Sequence, residues 1–200
     1  MNASIFQRHP MLKDALSIAL FVALVLVGTL LINNFVFRSY SVEGPSMEQT
    51  LYTGDRLIVN RLPATWANLI GESYLPKRGE IIVFKNPSHS NGAGDKFLVK
   101  RVLAFEGERV VVRGGTLTIY NEENPDGFNP DESEFYSIDA TNTSGNLDLT
   151  VPRNEIFVAG DHRDGNYSHD SRNGLGTVPL YDIVGPVSLR IFPFNKLTNF

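Results

Sequence analysis

The chain has 200 residues, 42% hydrophobic and 20% charged, with no cysteine and a formal net charge of −4. That length suits one globular domain with a short appendage. The acidic balance argues against a nucleic-acid-binding surface or a polybasic lipid patch, and the absence of cysteine leaves the redox compartment unread.

Residues 1–14 carry Arg8, Lys13 and Asp14 and read as a short cytoplasmic N-terminus. From Ala15 to Phe37 there is no charge, a run of ~23 residues or about 35 Å of helix, against a hydrocarbon core of roughly 30 Å. A cleaved secretory signal has a shorter apolar core followed by small residues. Here the run ends in Asn33-Asn34-Phe35-Val36-Phe37-Arg38, so 15–37 is expected to be a retained transmembrane helix. Arg8 and Lys13 outweigh Asp14 before it, and this small bias puts the N-terminus in the cytoplasm and residues 38–200 on the far side. Without Arg8, Lys13 and Asp14, the 18 basic and 22 acidic residues become 16 and 21, a charge of −5 for the remainder.

After Arg38 the pattern is of strands separated by turn residues: Ser39 to Val42, Arg56 to Arg61, Glu80 to Lys85, Phe97 to Ala104, Arg109 to Arg113, Thr116 to Tyr120, Glu155 to Ala159 and Ile183 to Arg190. Gly54-Asp55, Arg78-Gly79, Glu106-Gly107 and Gly114-Gly115 punctuate them, and no long amphipathic helix intervenes. The expected fold class is mainly β, a catalytic domain following a single transmembrane helix. Two stretches break the regularity. Leu62 to Ile70 is apolar, suiting either a segment packed in the core or one in contact with membrane lipid. Asn121 to Leu149 is acidic and rich in Asn, Pro and Ser, as expected of an exposed excursion without chemistry.

Three segments carry groups capable of chemistry. In Phe97 to Ala104, alternation places Lys100 in a row with Leu98, Val102 and Ala104. A lysine there loses its proton more readily than a free one, although snorkelling at a sheet edge or pairing with a carboxylate would suit the same pattern. Ser46 follows Gly44-Pro45, a turn able to present hydroxyl and backbone N–H together, but also an ordinary turn sequence. Gly160 to Arg172 concentrates polar groups, including His162, Ser168, His169, Asp170 and Arg172. Metal binding is disfavoured because Arg163 and Arg172 adjoin the would-be ligands, so neither metal nor cofactor is expected. A histidine-based triad is chemically possible, but no spacing selects it.

Together these segments resemble the bacterial type I signal peptidases, membrane-bound proteases that release exported proteins from their signal peptides. Ser39 to Leu51 resembles the nucleophile box, Gly54 to Asn60 the next, Lys100-Arg101-Val102 with Glu106-Gly107-Glu108 the general-base box, and Gly160-Asp161 through Arg172 the last. The resemblance implies Ser46 as nucleophile and Lys100 as base, with Ser168 orienting the amine and Asp170, Arg172, Arg101 and Asp161 supporting the site. It also implies an oxyanion hole using the Ser46 backbone N–H. Some members supply a second donor from a serine two positions earlier, and here that position is Gly44.

A second departure is Gly165-Asn166-Tyr167, which lengthens the last box before Ser168. The expected partners are signal peptides of exported preproteins, cleaved after Ala-X-Ala, and the lipid of the cytoplasmic membrane, with the site on its outer face. A peptidase serving a restricted substrate such as a pilin or conjugation protein, and a silent membrane-anchored binding module, fit the same residues. No feature speaks to oligomeric state.

Overall fold

The computed structural model describes residues 10–87, 89, 97–132, 138 and 142–200. Arg8, His9 and Lys96, and part of the 121–149 stretch, lie outside the described residues. The first element is helix α1, Pro10–Leu31, continued by a π-helical segment, Ile32–Val36. Within the span Lys13–Val36 an 18-residue window has a mean hydropathy of 2.8 and none of that window is buried against the other described residues. By length and composition it is able to cross a membrane. The helical region starts earlier than the uncharged run and takes in Lys13 and Asp14, whose side chains are exposed.

The rest is mainly β, as expected. In chain order come β1 (Phe37–Ser41), β2 (Arg56–Asn60), helix α2 (Leu62–Leu69), β3 (Ile81–Lys85), β4 (Phe97–Phe105), β5 (Arg109–Arg113), β6 (Thr116–Tyr120), β7 (Leu147–Thr150), β8 (Glu155–Ala159), β9 (Val178–Pro179), β10 (Ile183–Phe192) and β11 (Thr198–Asn199). A large curled sheet runs β1-β2-β10-β3-β4-β8-β9, with β11 also on β10, and a small one runs β6-β5-β7. All pairings are antiparallel.

Strand β10 makes the curl. Its first half, Ile183 to Pro186, pairs with β3, and Val187 to Phe192 pairs with β2, with register shifts along both. Pro186 has no N–H for a regular ladder. Gly185 has a φ of 153°, and a Cβ there would run into the Asn60 carbonyl oxygen. Only glycine lets the end of β2 come that close.

The hydrophobic residues sort into three cores. Val42, Met47, Leu51, Leu57, Val59, Ile81 and Val83 fill the first, beneath the turn that carries Ser46. Ile82 and Phe84 point the other way and join Val102, Ile156 and Val158, so β3 is apolar on both faces. The small sheet packs Val110, Val112, Leu117 and Ile119 against Leu103 and Phe157. The alternation expected for β4 stops at a register shift between Val102 and Ala104, which moves Ala104 out of Val102's core into that of Leu103.

Two expectations need correction. Leu62 to Ile70 is not packed in the core: it forms α2, of which only Ala64 is buried, while Trp66, Leu69 and Ile70 are exposed. Its start holds to the end of the apolar helix, with Thr65 Oγ1 donating to Phe35 O at 3.0 Å and Arg61 N–H to Val36 O at 2.8 Å. The 121–149 excursion is also less free than expected. Leu147 to Leu149 belong to β7, Phe128 bridges to Ile119, and Asp131 forms a buried ion pair with Arg163.

Candidate active site

Ser46 sits in a tight turn between β1 and β2. Gly44 enters it at φ 82°, a conformation that favours glycine. Glu48 N–H donates to Pro45 O and Leu51 N–H to Met47 O, at 3.0 and 2.7 Å. Met47 and Leu51 are fully buried, so the turn is pinned from below and Ser46 is carried above the core. The Ser46 N–H has no hydrogen-bond partner among the described residues and is available to a ligand.

Lys100 lies in the middle of β4, 3% exposed. Its Nζ is 2.7 Å from Ser46 Oγ, to which it donates, and 2.9 Å from Val99 O. Burial of an amine disfavours its charged form. Two groups 54 positions apart are thus in hydrogen-bond contact, as an activated nucleophile and its base require.

The strand neighbour of Lys100 fixes the surroundings. Arg101 Nε and Nη2 clamp the two oxygens of Asp161 at 2.8 and 2.6 Å, and Nη1 donates to Gly79 O at 2.7 Å. Asp161 Oδ2 also accepts the Thr50 hydroxyl at 2.6 Å. The fork ties β4, the end of β8 and the serine turn into one unit.

The profile of the family described as signal peptidase, peptidase S26, matches residues 13–192 of this chain. The chain belongs to that family. Signal peptidase I T of Bacillus subtilis (strain 168) is 37% identical over 180 residues, covering 88% of this chain and 84% of that protein. A Bacillus amyloliquefaciens signal peptidase I is 36% identical over 172 residues, covering 84% of this chain and 80% of its own. The crystal structure of an Enterococcus faecalis V583 signal peptidase I is 27% identical, with a TM-score of 0.42, covering 57% of this chain and 97% of that one. This chain is therefore a serine peptidase of family S26.

In this S26 peptidase the last box folds back over the serine turn. Asp170 is fully buried and bonded by Arg172 Nη2 at 2.7 Å, by Arg172 Nε at 3.1 Å and by Gly160 N–H at 2.9 Å. Burial alone would raise its pKa. The Arg172 guanidinium, the Ser168 hydroxyl dipole and the Gly160 N–H outweigh that and hold the carboxyl below its ordinary value. Gly160 has no room for a side chain, because a Cβ there would strike both Ser46 O and Ser168 Oγ.

Ser168 is 1% exposed, and its Oγ makes no hydrogen bond of ordinary geometry. The bond expected from it to the Lys100 amine is not formed, and the hydroxyl lies against Gly160 instead. Its position still borders the serine turn. Neither histidine contacts Ser46 Oγ: His162 Nδ1 lies 3.2 Å from Pro45 O, and His169 Nδ1 is 3.1 Å from Asn173 O at the surface. No group of three or more His, Cys, Asp or Glu residues suited to a metal occurs among the described residues.

Sequence reasoning missed Thr50 and Asp131. Thr50 lies within the nucleophile box, so its neighbours could have flagged it. Asp131 sits in an acidic stretch with no local signal of its buried partner.

Proposed function

We propose that this chain is a membrane-anchored endopeptidase that removes signal peptides from exported preproteins at the outer face of the cytoplasmic membrane, with Ser46 as nucleophile and Lys100 as general base. The observation that carries this is the 2.7 Å contact between Lys100 Nζ and Ser46 Oγ, with the lysine buried. One relative, 29% identical, is named inactive signal peptidase IA of Staphylococcus aureus. Membership of the family therefore does not by itself guarantee turnover, and the contact between the two groups supports activity here.

In the proposed reaction the neutral Lys100 amine accepts the Ser46 proton as Oγ attacks the substrate carbonyl. The unpaired Ser46 N–H meets the developing oxyanion, and the Gly44 turn keeps side chains away from that space. The new ammonium then protonates the leaving amine, which departs as the N-terminus of the mature protein. A water, deprotonated by the neutral lysine, hydrolyses the acyl-enzyme, and the proton returns to Ser46.

Preference for small residues before the cut rests on a cavity of about 40 Å³ lined by Tyr40, Val42, Leu57, Val83, Phe97 and Val99, one residue from Lys100. Tyr40 and Phe97, two of its lining residues, meet edge to face at 5.3 Å. The exposed apolar surface of α1, unburied by the other described residues, supports anchoring in lipid.

The test is cleavage of a precursor with an Ala-X-Ala site by full-length protein in detergent micelles. Ser46→Ala and Lys100→Ala should each abolish it, while His169→Ala keeps it. Cleavage surviving in either of the first two would sink the dyad.

A further inference from the structure

One group from the last box grips the peptide unit that supplies the proposed oxyanion donor. His162 Nδ1 is 3.2 Å from Pro45 O, and the His162 backbone N–H donates to Ser46 O at 3.2 Å. A carbonyl oxygen only accepts, so Nδ1 carries the proton in this contact. The imidazole is held in place by Tyr167, whose ring stacks on it with centroids 4.6 Å apart and 22° between planes. Glu48 Oε2 lies 3.7 Å from the same Nδ1. Tyr167 belongs to the segment that lengthens this box.

Pro45 O and Ser46 N–H are the two ends of a single peptide group. That group is planar and trans, so its oxygen and its N–H point in opposite directions. Anything that fixes the oxygen therefore aims the N–H. Pro45 O accepts two bonds, from Glu48 N–H within the turn and from the imidazole across the site. The first belongs to the turn itself. The second ties the peptide plane to the end of β8, on the same framework as the Arg101–Asp161 clamp. A bond accepted at the oxygen also polarises the group and strengthens its N–H as a donor.

We propose that His162 is a positioning residue for the oxyanion hole, holding the Pro45–Ser46 peptide so that the Ser46 N–H faces the reacting carbonyl oxygen. It acts as a hydrogen-bond donor and not as a base. The proposal rests on the reading of Ser46 as nucleophile. It accounts for how a chain with Gly44 in place of a side-chain donor keeps its remaining donor aligned. Alignment matters most when charge sits on the oxygen, so the effect falls on the transition state more than on substrate binding.

The experiment uses the full chain in detergent micelles, with steady-state cleavage of the precursor and a thermal melt for each variant. His162→Ala should lower kcat by about tenfold and leave KM within about twofold, the pattern of an interaction made in the transition state. His162→Asn keeps an N–H able to reach Pro45 O, and its kcat should return to within about threefold of the parent, with an unchanged pH–rate profile. Tyr167→Ala, which frees the imidazole without removing it, should fall between them.

A His162→Ala protein with the parental kcat, a loss confined to KM, or equal loss in His162→Ala and His162→Asn with melts unchanged would overturn the proposal. If His162→Ala does not fold, the ranking of parent, His162→Asn and Tyr167→Ala decides, and a Tyr167→Ala kcat equal to the parent's overturns it. Ser46→Ala run alongside separates the two levels: activity remaining there removes the nucleophile assignment, whatever the histidine variants do.

Discussion

Asp131 and Arg163, 32 positions apart, form an ion pair whose side chains are only 5% and 1% exposed. Arg163 Nε also donates to Gly160 O at 2.7 Å, and Arg172 Nη1 to Arg163 O at 2.8 Å. A stretch that reads as solvent-exposed thus braces the last box beside the candidate site. Ser144 adds to the brace, its N–H donating to Arg163 O and its hydroxyl to Asp164.

Removing the Asp131 carboxylate leaves a buried guanidinium short of its charge partner, a change that costs about 3–5 kcal/mol. Asp131→Ala is expected to lower the denaturation midpoint clearly, and Asp131→Asn less, with activity falling in the same order. Denaturant melts of the full chain in micelles check this. Parental stability in Asp131→Ala would show that the brace contributes nothing.

Gly160→Ala tests the packing of the last box on the serine. The added methyl meets the Ser46 carbonyl on one side and Ser168 Oγ on the other. The hydroxyl can rotate, but the backbone oxygen cannot, so Ser46 is displaced from Lys100. A misplacement of about 1 Å is worth roughly 10²-fold in rate. Single-turnover cleavage should show that loss with the fold intact, and a fully active variant would mean the turn has slack the contacts do not suggest.

Asp170 gives an acid-side prediction. Its folded pKa lies below the ordinary value, so its ionised form stabilises the fold fully above the unfolded pKa of ~3.9, and that contribution is lost as pH falls through the lower folded value. The parent should exceed Asp170→Asn in stability near pH 6, with the gap closing below about pH 4. A gap unchanged down to low pH would show that charge at Asp170 is irrelevant to stability.

Lys100→Met should be inactive yet more stable near neutral pH. On the proposed mechanism the folded amine is neutral, so unfolding at pH 7 takes up a proton and is favoured by it. The folded pKa is then the depressed one, and the penalty fades as pH rises toward the unfolded lysine value of ~10.4. The stability difference should be plain at pH 7 and shrink at alkaline pH, and a methionine variant less stable at pH 7 would show the lysine is held charged.

Trp66 is the only tryptophan and is 66% exposed on α2, beside the C-terminal end of the apolar helix. Indole suits the membrane interface. In full-length protein reconstituted with brominated lipids its fluorescence should be quenched. Emission indifferent to bromine would put α2 in water.

Much of this molecule could be read from residue order. Arg109–Arg113 and Thr116–Tyr120 alternate cleanly around Gly114-Gly115, and both strands have the expected bounds. Lys100 stood out because a charge interrupted an apolar strand. Strand β7 was invisible because its four residues alternate too briefly, and Asp148 finds its partner in Arg109 only once the sheet exists. Helix α2 has no side-chain cap, no acid in its first turn and no base in its last, so its seat against Phe35 is what marks it. The Ser168 geometry escaped because it depends on the close approach of Ser168 to Gly160, which no local pattern encodes.

The junction at Val36 has a consequence for what this enzyme can reach. The apolar helix passes directly into β1, with no spacer, and hydrogen bonds from Arg61 and Thr65 grip its last turn. Ser46 stands about ten residues farther on, which bounds its separation from that turn at about 35 Å even for a fully extended chain, and β1 and the serine turn are firmly folded. With α1 in the bilayer the active site is mounted at a set height, like a blade on a bracket. On the proposed function a precursor would be measured as well as recognised: its site is expected to be cut only where it emerges from its own hydrophobic segment at that level, and the same site several residues nearer or farther is expected to pass uncut.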